Sequence, residues 1–208
     1  MKPINNWDNI STFGDREKLP VGAYQVVILG AMEKVYRSAF GEFGKLEISF
    51  DIAAGEHTGF YRRDYKNQNP PVGQERRWKG VLRLNIPKGD GTDADETSKK
   101  VLKGAITAIE QSNPGYRWDW NEAGLKGKQV GCIFRNEEWE YNGKTGWAVR
   151  PFRFTDINKV VSGDVVIPYD KPLAAATYQQ PTQQAAAPAQ QNPGQQYSNI
   201  GIDEDLPF

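Results

Sequence analysis

The chain has little of what stapled or metal-dependent folds are built on. Cys132 is the only cysteine and His57 the only histidine in 208 residues, so a disulfide framework is excluded and no zinc-ligand spacing can be assembled. No apolar run approaches the length that spans a bilayer, and Met1-Lys2-Pro3-Ile4-Asn5-Asn6 lacks the apolar core of a secretion signal. The expected compartment is therefore the cytoplasm. Net charge is missing too: 26 basic residues balance 26 acidic ones, far from the excess of a protein that grips duplexes through phosphates.

Catalytic signatures are equally scarce. Gly41-Glu42-Phe43-Gly44-Lys45-Leu46 has glycines too close together for a phosphate loop, and Leu46 stands where Ser or Thr is required. Asp90, Asp93, Asp95 and Glu96 lack the glycine of a calcium loop and suit the start of a helix. The expectation is a protein that is not an enzyme and needs no cofactor or metal.

What the chain does have is rings and an uneven layout. Aromatic residues make up 12% of it, including six Trp. The 27 residues from Leu173 to Asn199 hold eight Gln, seven Ala and three Pro and no charged side chain. Such a stretch has too little apolar surface to offset its ordering entropy and reads as a disordered linker, with a span of roughly 30 Å. Beyond it Asp203, Glu204 and Asp205 leave residues 1–172 with 26 bases against 23 acids. A body so mildly basic would have to hold nucleic acid by stacking as well as by charge. The expected organisation is an arm (1–20) carrying Trp7, Ile10 and Phe13, one domain (21–172), the linker (173–199) and an acidic tip (200–208).

Within the domain, Tyr24, Val26 and Ile28 alternate in a strand from Gly22 to Tyr36 that loosens at Gly30, where a bulge is expected. Leu46, Ile48, Phe50 and Ile52 alternate with Lys45, Glu47, Ser49 and Asp51, the pattern of a half-buried strand. Phe60 to Tyr65 reads as a third strand, and Trp78 to Ile86 as a strand or irregular wall. Asp93 to Ser112 has helical spacing, with acids at its start and Asn113-Pro114-Gly115 as the stop. Gln129 to Tyr141 and Lys144 to Phe154 flank Asn142-Gly143, the favoured hairpin turn. Three strands, a helix and a hairpin give a mainly β chain in the order of an OB-fold, a five-stranded Greek-key barrel with one helix between strands 3 and 4, plus a disordered C-terminal tail. An unrelated α+β sandwich is the alternative from pattern alone.

The last residues carry the most specific signal. Three acids are followed by Leu206, Pro207 and a terminal Phe208. A ring beside a free carboxylate suits a small apolar pocket rimmed by cations, and Pro207 lowers the entropy lost on docking. This tip resembles the C-terminal peptide of bacterial and bacteriophage single-stranded DNA-binding proteins, with Glu204 where Asp is more usual. The layout is also similar to small single-stranded DNA-binding proteins of phages and prophages of Gram-positive bacteria, through Leu19-Pro20-Val21-Gly22-Ala23-Tyr24, Gly127-Lys128 and Tyr141-Asn142-Gly143. The resemblance implies sequence-independent binding of single-stranded DNA. It also implies that Asp203, Glu204, Asp205, Leu206, Pro207 and Phe208 recruit replication, recombination or repair proteins such as a helicase, primase, polymerase or recombination mediator. A single-strand annealing protein or a replisome adaptor of phage recombination is the competing reading, and a homo-oligomer is compatible with either.

An OB-fold holds single strands across its second and third strands and two adjoining loops. That rule selects Tyr36, Arg37, Phe40 and Phe43; Tyr61, Arg62, Arg63, Tyr65 and Lys66; and Trp139, Tyr141, Lys144 and Trp147. If Asn142-Gly143 is a two-residue turn, Arg135 faces Arg150, so phosphate or Glu137 should stand beside them. Trp139 then lies over Gly146, as structural cover or as a stacking surface. Phe50, Phe152 and Phe154 are expected in the core, and at least one of Trp118 and Trp120 is expected to be buried.

Overall fold

Alternating apolar residues build a sheet only where register puts them on a common face. The computed structural model describes residues 2–3, 5, 17–39 and 41–173. The arm's Trp7, Ile10 and Phe13, the turn residue Phe40, the linker past Leu173 and the tip Asp203–Phe208 lie outside them. Strand β1 (Gly22–Ser38) pairs antiparallel with β2 (Gly41–Ile52), and the register shifts between Ile28 and Gly30. This is the expected bulge, with Leu29 as the extra, fully buried residue. Helix α1 (Phe60–Lys66), strand β3 (Val81–Asn85) and helix α2 (Asp93–Ser112) follow. The hairpin is β4 (Gln129–Tyr141) and β5 (Lys144–Thr155), with a short helix α3 (Ile157–Ser162) behind it.

The chain is mainly β: one antiparallel five-stranded sheet in the order β3-β2-β1-β4-β5. The sheet is open, with β3 and β5 as its two edges, so the closed barrel expected from strand order is not what the ladder forms. Its inner face carries Val26, Ile28, Ile48, Phe50, Val130, Cys132 and Phe134, covered by Ala105, Ile106 and Ile109 of α2. Phe50 sits edge-on to Phe134 and Phe154, at centroid distances of 6.1 and 5.9 Å. Phe152, expected beside them, is half-buried beneath the Arg135 guanidinium, 4.1 Å from its ring. Trp118 packs partly on the core and Trp120 is exposed, so neither is buried.

Phe60–Tyr65, expected as the third strand, is helix. The reason lies ten residues upstream, where the buried Asp51 carboxylate accepts from the N–H groups of Tyr61 (2.9 Å) and Arg62 (3.2 Å). A carboxylate at that end satisfies donors that a new helix leaves open. Tyr61 and Tyr65, four apart, then turn to one side against Trp78. The true third strand falls inside the Trp78–Ile86 stretch. Asp51 and Glu47 also overturn the half-buried reading of β2: at 0% and 6% exposure, these polar-face residues are as covered as the core.

Helix α2 starts and ends where its spacing predicts. Thr92 caps it by accepting from the Asp95 N–H at 3.2 Å. At the far end the Asn113 side chain donates to the carbonyls of Ile109 and Gln129, both at 2.7 Å, tying the helix to the start of β4. No described helix is long and apolar enough to cross a membrane.

Candidate nucleic-acid interface

The bulge at Leu29 reverses which residues of β1 look outward. Beyond it Met32, Lys34 and Tyr36 share the outer face with Phe43, Lys45 and Glu47 of β2 and Arg83 of β3. Tyr36 lies directly opposite Phe43 and the rings stack, with centroids 5.7 Å apart and planes 16° from parallel. Lys34 lies opposite Lys45, a like-charge pair that is unfavourable by itself. The surroundings resolve it in two ways. Lys45 Nζ sits 5.5 Å from each ring centroid, in cation–π range, and Lys34 Nζ is 2.9 Å from the Glu47 carboxylate.

Glu47 gathers this face. Its carboxylate also accepts from Arg83 Nε at 2.5 Å and from the Tyr36 hydroxyl. Burial alone would raise its pKa, but the bonds from Tyr36, Lys34 and Arg83 outweigh that and hold it at about 2. The result is a fixed ring pair with three cations beside it, the combination that stacks bases and accompanies phosphates. Sequence reasoning selected Tyr36 and Phe43 and missed Lys34, Lys45, Glu47 and Arg83. Their signal was alternation: Lys34 stands two residues from Tyr36, and Lys45 and Glu47 two and four from Phe43, so each set shares one face of its strand.

Other selected residues are placed elsewhere. Arg37 is on the opposite face from Tyr36, paired with Glu42 at 2.7 Å. Tyr61 is buried, edge-on to Phe50, and belongs to the core. Arg62 and Tyr65 are half-buried on α1, and Lys66 is exposed at its end. Arg63 donates to Glu17 at 2.8 Å and to the Thr58 carbonyl, fastening the chain that precedes β1. None of the five between Tyr61 and Lys66 stands on a strand.

The hairpin has the register expected of it. Asn142 and Gly143 adopt φ of 50° and 70°, and Tyr141 pairs with Lys144, Trp139 with Gly146 and Arg135 with Arg150. Arg135 binds Glu137 at 2.8 Å, so the carboxylate is the anion beside the arginine pair, while Arg150 is exposed. Tyr141 and Lys144 are exposed on the same face as Trp139. Trp147, half-exposed, lies across from Glu138 and so projects from the other face. A Cβ on Gly146 would lie 2.7 Å from the Trp139 ring. Gly146→Ala should therefore displace that indole and destabilise the hairpin by about 1 kcal/mol, visible as a red shift in tryptophan emission. Unshifted emission would show that the ring does not rest on this glycine.

Past α3 the chain returns to β4, where the Lys171 N–H donates to the Asn136 carbonyl and the Glu138 N–H to the Lys171 carbonyl, both at 2.9 Å. This short parallel bridge runs towards the hairpin tip. Among the described residues no group of His, Cys, Asp or Glu is arranged to hold a metal ion. No known protein family matches this chain, and no curated protein sequence matches it.

Proposed function

We propose that this is an OB-fold-type protein that binds single-stranded DNA without sequence preference, and that its acidic tip recruits proteins of DNA replication, recombination or repair. The observation that carries the reading is the outer-face platform: two nearly parallel rings, the Tyr36 hydroxyl held by Glu47, flanked by Lys34, Lys45 and Arg83. Rings serve any base because every base has a π-face, and the cations follow the backbone. The strand order adds support, since β3-β2-β1-β4-β5 with α2 between β3 and β4 is what a five-stranded Greek-key barrel gives when opened between its third and fifth strands. Tyr141, Lys144 and Trp139 of the hairpin supply a second set of rings and charge.

Titrating the full chain with oligo-dT and with duplex of equal length tests this. Tight binding of the single strand with quenching of tryptophan emission, and little response to duplex, is the expected result. The salt dependence should be shallow for a nucleic-acid binder, because stacking releases no counterions. Equal affinity for duplex would overturn the reading, and faster pairing of complementary strands would assign an annealing protein instead. Removing Asp203–Phe208 should leave oligonucleotide affinity unchanged or slightly higher, since a competing anion is lost, while abolishing capture of partner proteins. A large loss of DNA affinity in that truncation would show that the two tasks are not divided in this way.

A further inference from the structure

The loop from Asn67 to Gly80 joins α1 to β3 and contains Pro70, Pro71 and Gly73, a composition that ordinarily leaves a loop loose. Here its second half is fastened at three points. The Gln68 side chain donates to the Arg77 carbonyl and accepts from the Arg77 N–H, both at 2.9 Å, so one amide clamps that backbone from both sides. Trp78 Nε1 donates to the carbonyls of Phe50 (3.2 Å) and Gly80 (3.1 Å), and its ring leans on Tyr61 and Tyr65. Gly80 has no room for a side chain, because an added Cβ would overlap the Phe50 carbonyl oxygen.

At the first of these fixings stand two adjacent arginines, Arg76 and Arg77, both exposed. Among the described residues no carboxylate lies within ion-pair distance of either guanidinium, whereas Lys79 beside them is paired with Asp64 at 2.9 Å. Holding two like charges side by side on a clamped backbone opposes folding slightly, and nothing in the fold offsets it. It does place two planar donor forks suited to phosphate side by side. Their place matters as well. The Phe50 N–H donates to the Gly80 carbonyl at 2.8 Å and Ser49 pairs with Val81, so the loop enters the sheet alongside β2 at the Ser49–Phe50 end of that strand. From Ser49 to Phe43 the outer face of β2 runs roughly 20 Å, past Arg83 and Lys45 to the ring pair.

We propose that the α1–β3 loop is a second phosphate-binding surface, on which Arg76 and Arg77 hold the backbone of the same single strand whose bases stack on Tyr36 and Phe43. It rests on the single-strand reading above and adds a contact site outside the strands and the hairpin. The strand crosses β2 from the rings to the loop, and the loop engages it through charge alone.

The test is the full-length Arg76→Ala/Arg77→Ala double variant, titrated with a dT oligonucleotide of about 30 residues at several salt concentrations. These side chains make none of the loop's fixings, so the thermal midpoint should match wild type. Two lost phosphate contacts lower the log–log salt slope by roughly 1.4, at about 0.7 per contact for single strands. The affinity ratio of wild type to variant should therefore shrink roughly sevenfold between 50 and 200 mM salt. Arg76→Lys/Arg77→Lys should keep most of the wild-type slope. An unchanged slope in the alanine variant, with wild type binding normally, overturns this inference alone; retention of wild type but not variant on poly-glutamate would then give the loop to an acidic protein. Failure of wild type to bind oligo-dT overturns this inference and the reading beneath it together.

Discussion

Replacing Tyr36 and Phe43 together by alanine should weaken binding of oligo-dT by about 2–6 kcal/mol, since each stacked base contributes roughly 1–3 kcal/mol. The two rings lie parallel at 5.7 Å on the outer face of the sheet, so they present one continuous surface. Neither carries charge, and the loss should therefore appear as a parallel displacement of the salt plot with its slope kept. That signature is the opposite of the one expected for Arg76 and Arg77. Tyr36→Phe separates ring from hydroxyl: it keeps the surface but drops the bond to Glu47, so it should cost far less than the double change. Anisotropy with labelled oligo-dT at fixed salt measures all three, and a double variant that binds as wild type does would remove the platform from the site.

A second large effect concerns acid. The Glu47 pKa is held at about 2 against an ordinary value of 4.5, so its ionised form is favoured by folding. Its contribution is complete above pH 4.5 and disappears as pH falls through 2, a loss of about 3 kcal/mol. Asp51 acts in the other direction: burial pushes its carboxyl above the ordinary value although the N–H groups of Tyr61, Ile52 and Arg62 pull it down. A raised carboxylate pKa makes the fold gain stability as pH falls, so the total acid response understates Glu47. The comparison of wild type with Glu47→Gln isolates it. Urea unfolding at pH 5, 3.5 and 2 should find the variant less stable at pH 5 and the difference nearly gone at pH 2. Curves that stay parallel across that range would show that Lys34, Arg83 and Tyr36 do not hold the carboxylate as described.

Much of the fold was legible because its signals are local. Asp93–Ser112 announces itself by periodicity, the acids at its start and the Asn113-Pro114-Gly115 stop, and Asn142-Gly143 dictates the β4–β5 pairs from Tyr141 back to Phe134, where the register shifts. Gly30 marked the bulge. The misreadings share a cause, which is dependence on a distant partner. Phe60–Tyr65 is rich in rings and looks like strand, yet it is helix because Asp51 meets its N-terminus. Glu47 looks like a solvent-facing residue until β3 brings Arg83 beside it. The candidate site divides the same way: Tyr36 and Phe43 could be chosen for their chemistry, whereas Lys34 and Lys45 follow from a β1–β2 register that a slip of one residue would invert.

The bridge between Lys171 and β4 fixes a heading as well as a position. Because the segment runs parallel to Glu137–Trp139, the chain is steered along the hairpin and sets out from it at Leu173. On the proposed function, a helicase or polymerase recruited by the tip would be joined to the body at Leu173, beside the hairpin that carries Trp139, so delivery to the bound strand would begin at that side of the domain.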